Sequence, residues 1–137
     1  MEGSLTPHEI VNPPALAPPR GFAHAVVAAP GRTVYLGGQT ALDAEGRVTG
    51  ETVADQFEVA ARNVLEALRA AGGGAQHLVS LQIFVTDVEA YKGALGPIGA
   101  SYRKHFGKHF PAMAVFEVSG LFDRDAMVEL VGIAVVP

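Results

Sequence analysis

Glu129 is the only charged residue inside the apolar run from Met127 to Val136 (MVELVGIAVV). A carboxylate in such a strand loses hydration, and it persists only if paired, hydrogen-bonded or protonated. Left unpaired it should have a raised pKa, the property wanted of a general acid or base near neutral pH. The plainer alternative is a strand-end carboxylate, or one paired with a lysine or arginine across an interface. Met113 draws attention for the opposite reason. In PAMAVFEV (111–118) it puts an apolar, flexible thioether near the start of a strand that opens on proline. Glu117 shares a strand face with Met113 and Val115 and reads as a structural acceptor of backbone bonds. His105 and His109 have the i, i+4 spacing of metal ligands. Gly107 lies between them and no clear third ligand is at hand, so no metal is expected. His24 alternates with Phe22 and Val26 and reads as a core or interface histidine. Tyr102 reads as packing. Neither Ser101 nor Ser119 has a histidine that spacing brings near. The glycines 72–74 lack the lysine of a phosphate loop.

The elements that must position these groups follow from pattern. Residues 1–20 carry five of the nine prolines, so they are expected to form an extended arm rather than a helix or a central strand. Phe22 to Ala28 and Thr33 to Gly37 read as two strands around a Pro30-Gly31-Arg32 turn, joined as a hairpin. Thr49 or Thr52 is placed to cap a helix whose apolar stripe is Val53, Phe57, Ala60, Val64 and Leu68, and Gly72-Gly73-Gly74 stops it. In LVSLQIFVTD (78–87), Val79, Leu81, Ile83 and Val85 alternate with polar residues, the period of a strand. Pro97 is expected to start a second helix that runs to about Phe106. PAMAVFEV and the final apolar run complete the order β-β-α-β-α-β-β. That order predicts an α+β domain, residues 21–137, with a mixed sheet and both helices on one face. The last strand is apolar on both faces, and no spare element exists to cover the second one. An oligomer is therefore expected.

Bulk properties exclude several functions. The chain of 137 residues suits one domain, and its net charge of -4 and lack of any basic cluster argue against nucleic acid. The absence of cysteine removes disulfides and thiolate chemistry. No apolar run reaches the roughly 20 residues that cross a bilayer, and no signal-peptide pattern opens the chain. A cytoplasmic protein without membrane contact is the expectation.

Read in order, GFAHAV (21–26), VYLGGQTALDAEGRVTG (34–50), NVLEALRAAG (63–72), LVSLQIFVTD, PAMAVFEV and VELVGIAVV (128–136) resemble the Rid/YjgF family, small proteins known for hydrolysing reactive imines and enamines. The resemblance implies a chorismate-mutase-like fold, a homotrimer whose sheets line a central barrel, active sites in clefts between subunits, and no cofactor. It implies that Gly38 is the pocket glycine and Glu129 the glutamate that positions water. In imine-deaminating members the strand reads Pro-Ala-Arg, and the arginine grips the substrate carboxylate. Here that position is Met113. The family's tyrosine after the first glycine is replaced by Phe22, its helix asparagine falls near Gly99, and the second glutamate of its last strand is Val131.

The missing arginine matters most. Arginine presents two parallel donors to a carboxylate and methionine has none. Each charge-assisted bond is worth roughly 1.5–3 kcal/mol, so their loss implies about a hundred-fold or greater penalty. The expected pocket is apolar, with no cation to hold an acidic guest. One expected function is hydrolysis or tautomerisation of an imine, enamine or related carbonyl compound, with Glu129 moving a proton or holding water. Main-chain groups near Gly38 and Ala114 would hold a polar atom, and Met113 and Phe22 an apolar portion. The alternative is a non-catalytic protein that binds a metabolite or regulates a partner in the same cleft. Ribonuclease activity finds no basic or aromatic strip to support it.

Overall fold

In the computed structural model, which describes residues 6–137, the chain folds as β1 (Glu9–Val11), β2 (Ala25–Val27), β3 (Arg32–Tyr35), α1 (Val53–Ala70), β4 (Leu78–Val85), α2 (Val88–Gly93), α3 (Leu95–Phe106), β5 (Ala112–Glu117) and β6 (Val128–Val136). Residues 1–5 of the expected arm lie outside the described residues. A four-stranded mixed sheet has the order β3-β6-β4-β5, with β4 and β5 parallel and the other pairs antiparallel. This is the α+β architecture expected from the strand and helix pattern.

Three details differ from that pattern. The hairpin between the first two body strands does not form. Instead β2 pairs with β1 of the arm, and β3 pairs with β6. Residues 8–12 lie between Pro7 and Pro13 and keep all their N–H groups, so this window can make a ladder although the rest of the arm cannot. The second helix begins at Leu95, not Pro97. Proline is accommodated in a first turn because N–H groups there have no intrahelical partner. Ahead of it lies α2, a short helix the pattern did not signal, capped by the Asp87 side chain accepting from Ala90 N–H at 3.0 Å. Finally, a register shift between Leu78 and Ser80 turns Leu78 into the core where Val79 was expected.

α1 forms as its stripe predicts. Thr52 is the cap that is used, accepting from Asp55 N–H at 3.1 Å, while Thr49 donates to Ala41. Gly72, at φ +93°, ends the helix, and the Gly73 N–H closes back onto Leu68 O. The stripe packs on Leu81, Ile83, Val85, Val128 and Leu130, with Ile98, Tyr102 and Phe106 of α3 beside it. All three helices thus cover one sheet face. The other face carries Tyr35, Gln82, Phe84, Ala114, Phe116, Glu129, Val131 and Ile133, by alternation and register. Tyr35 is 77% exposed and Phe116 45%, and Phe116 stacks on Phe84 with ring centroids 5.4 Å apart.

Histidines tie down the arm. His8 accepts the Ala29 N–H through Nδ1 (3.0 Å), so its Nε2–H donates to His77 O (3.0 Å). His77 in turn accepts the Gly74 N–H through Nδ1, and His109 donates to Leu78 O at 2.7 Å. Burial lowers the pKa of His77, and His8 lowers it further. Burial also lowers that of His109, against the Leu78 hydrogen bond that favours its charged form. On α1, Glu58 holds Lys104 and His105 of α3, each at 3.0 Å. Burial opposes its charge, but those bonds outweigh burial and bring its pKa down to about 2.

Two acid-driven losses of stability are expected. Below the ordinary histidine value of 6.5 the unfolded chain binds more protons than the folded one, so stability falls with pH. Below 4.5, the ordinary glutamate value, the Glu58 contribution is lost progressively as pH approaches about 2. Urea midpoints measured across this range should show both declines. The His77→Gln, His109→Gln double variant should flatten the first, and an unflattened profile would remove the histidines from the account.

Candidate functional site

β5 is an edge strand, and α3 crosses over its inner face. Between them opens a cleft of about 620 Å³, a size that suits a small molecule. Four of the six residues singled out from the sequence line it: Phe22, Gly99, Met113 and Ala114. They arrive from three separate parts of the chain. Met113 pairs with Leu81 across the β4–β5 ladder and so faces the helices. Gly99 lies on α3, one turn before Tyr102. Phe22 is brought in by the neighbouring residue, because Ala23 N–H donates to Pro111 O at 2.9 Å and bridges to Ala112.

Tyr102 closes the inner wall, stacked on Phe110 with ring centroids 5.0 Å apart. Burial pushes its phenol pKa well up, and Tyr91 adds to this; the Tyr91 phenol is pushed up to about 12 by burial. Tyr102 therefore remains a neutral donor with one proton. Its oxygen lies 2.6 Å from His109 O and 3.7 Å from the Met113 sulfur. The carbonyl is the shorter and stronger acceptor, so Tyr102 packs and braces, as its sequence position suggested, and Met113 receives little of the bond.

Gly38 and Glu129 are together, but elsewhere. Gln39 and Leu130 exchange both backbone hydrogen bonds, at 2.8 and 2.9 Å, which sets Gly38 opposite Val131 and diagonally across from Glu129. The Glu129 carboxylate occupies the space that a Cβ on Gly38 would need, so any side chain at 38 would push the carboxylate aside. Glu129 alternates with the buried Val128 and Leu130, so it faces away from the helices and from Met113. Within the single chain Glu129 stands partly exposed on the outer sheet face. Among the described residues, no hydrogen bond or ion pair reaches its side chain.

The remaining candidates resolve into structure. Glu117 accepts the Val88 N–H at 2.8 Å and helps to start α2, the backbone-acceptor role expected for it. His105 and His109 turn to different partners, Glu58 and Leu78 O. His24 donates through Nε2 to Ala17 O at 2.7 Å and lies edge-on to Phe22, so it fixes the end of the arm. The expectation of a pocket without cations is corrected, because Arg20 and Arg103 line the cleft. Spacing could have revealed them: Arg103 is four residues after Gly99 on the same helical face, and Arg20 directly precedes Gly21-Phe22.

A mixed α+β domain with a cleft of this kind and an outward acid pairs with what comparison finds. The Endoribonuclease L-PSP family model matches residues 13–136. The chain belongs to this family, the Rid/YjgF family. A Rid protein family member, YyfB from Yersinia pestis, superimposes with a TM-score of 0.85 at 28% identity, covering 94% of this chain and 98% of that one. The 2-iminobutanoate/2-iminopropanoate deaminase of Bos taurus is 30% identical over 105 residues, 76% of this chain and 73% of its own length. Protein DfrA of Myxococcus xanthus is 33% identical over 130 residues, 93% of this chain and 92% of its own.

The Gly38–Glu129 contact has a direct test. Gly38→Ala should lower stability by no more than about 1 kcal/mol, because the group it displaces is the end of a flexible side chain. Adding Glu129→Ala should restore most of it in a urea-denaturation cycle. Additive losses would mean that the two residues do not meet.

Proposed function

We propose that the chain acts as a Rid-type homotrimer on an imine, enamine or related carbonyl compound that lacks the usual α-carboxylate, with each site shared between two copies. In this reading, Glu129 and Gly38 of one copy face the cleft formed by Phe22, Gly99, Met113 and Ala114 of the next. The observation that carries it is Met113, an apolar side chain on the cleft wall, which the sequence resemblance places where imine-deaminating members carry their carboxylate-gripping arginine. The outward acid, the exposed apolar residues on its sheet face, and the deaminases among the relatives support it. So does Gln82, whose side-chain oxygen is buried on that face without a partner among the described residues.

Chemically, Glu129 takes a proton from water as the oxygen adds to the C=N carbon. It delivers that proton to the nitrogen, giving a carbinolamine, and then carries the hydroxyl proton to the same nitrogen as the C–N bond breaks, so that ammonia or an amine leaves and the carbonyl forms. Tautomerisation needs the same acid to move one proton between carbon and nitrogen. Met113 and Phe22 supply a dry wall. Main-chain groups near Gly38 and Ala114 provide the polar contacts.

A second reading, metabolite binding without turnover, is favoured by one observation: within a single chain Glu129 and the cleft lie on opposite faces of the sheet. Oligomer mixing separates the two. Glu129→Gln should abolish turnover while the native mass in solution persists. Mixed with an inactive Phe22→Asp chain, it should regain activity, because some seams then combine two intact halves. Unchanged turnover in Glu129→Gln would remove its role.

Ammonia release from freshly generated 2-aminoacrylate tests the altered specificity. It should be at least about a hundred-fold slower than in arginine-bearing relatives, the value of two lost charge-assisted bonds, and Met113→Arg should raise it. A native rate equal to theirs would defeat the reading.

A further inference from the structure

The cleft is apolar along its walls and cationic at two points, both supplied from outside β5. We infer that it binds an amphiphilic acid whose carboxylate stands several bonds from its reacting end, gripped by Arg103 with Arg20 beside it. This rests on the reading of the cleft as the ligand site and names the class of molecule that fills it.

Arg103 lies beside a glycine of its own helix. The ideal Cβ position on Gly99 lies 3.4 Å from Arg103 Nη1, so the guanidinium lies back over the glycine within van der Waals reach. The neighbouring cations of α3 are committed elsewhere, since Lys104 and His105 both bind Glu58 on α1. Arg103 alone of the three lines the cleft. Arg20 is held from both sides. His24 donates to Ala17 O before it, and Ala23 N–H donates to Pro111 O after it. Among the described residues neither guanidinium is paired with a carboxylate. Both are exposed, so their charge stays solvated until an anion displaces water.

Position then dictates ligand shape. Met113 lies on the strand floor, and Arg103 projects from the helix across the cleft. A 2-imino acid carries its carboxylate on the reacting carbon and cannot put the two at separate places. An acid with an apolar spacer can, its chain lying against Phe22, Ile98, Met113 and Phe110 and its carboxylate meeting the planar two-donor face of arginine. The positive charge lost from the strand thus reappears on the helix, and the accepted molecule grows longer.

Calorimetric titration with octanoate, 1-octanol and acetate tests this. Octanoate should bind at least about tenfold tighter than either, because only it offers both tail and charge. Arg103→Gln should erase the advantage over octanol, Arg103→Lys should retain part of it, and Arg20→Gln should weaken octanoate less than Arg103→Gln does. Circular dichroism melts check that the variants fold. Equal affinity for octanol and octanoate, no octanoate binding, or full affinity in Arg103→Gln would each overturn the inference. Glu129→Gln, assayed in parallel, keeps the two readings apart. Octanoate binding without turnover in the native chain would sink the catalytic proposal alone. Turnover without octanoate selectivity would sink this one alone.

Discussion

Everything at the site follows from the pleat of β6. This strand sits inside the sheet, paired with β3 on one edge and β4 on the other, so its register cannot slip without moving a whole set of side chains to the wrong face. Val128, Leu130 and Ala134 are buried against the helices. Glu129, Val131 and Ile133 must therefore face out. An acid one residue earlier or later would be buried unpaired, a cost no nearby cation offsets. The same parity separates Glu129 from Met113, which faces inward on β5.

That separation shapes the functional reading. One chain provides an apolar cleft on the helix side and an isolated acid on the opposite side of the sheet. The acid lies against Gly38, in the space that a side chain there would take. A fold that kept such a pair while leaving the acid to solvent would gain nothing from it. The outer face also carries aromatic surface at Tyr35, Phe84 and Phe116, an expensive arrangement in water. Both features underlie the proposal that this face meets another copy.

The arm is a working part of the domain. Its proline-free window makes β1, His8 and His24 anchor it through backbone carbonyls, and it delivers Arg20 to the rim of the cleft. Because His8 and His77 each accept a backbone N–H through Nδ1, these bonds require neutral rings. The docking of the arm and the lining of the cleft are thus coupled through the same segment.

Local pattern alone determined much of this protein. The α1 stripe and its Thr52 cap, the alternation in β4, the end of α3 at Gly107, the mixed α+β class and the odd acid at Glu129 were all legible, because each depends on neighbours close in sequence. Four of the six candidate site residues, named by the family resemblance rather than by local pattern, line one cleft. Only the tertiary structure decided the rest. It paired β2 with the arm instead of β3, turned Leu78 inward at a bulge, placed Gly38 and Glu129 away from the cleft, and brought Arg20 and Arg103 to it. Periodicity reports which face of an element is buried, but strand partners and the meeting of side chains nearly a hundred residues apart depend on long-range pairing, which no local spacing encodes.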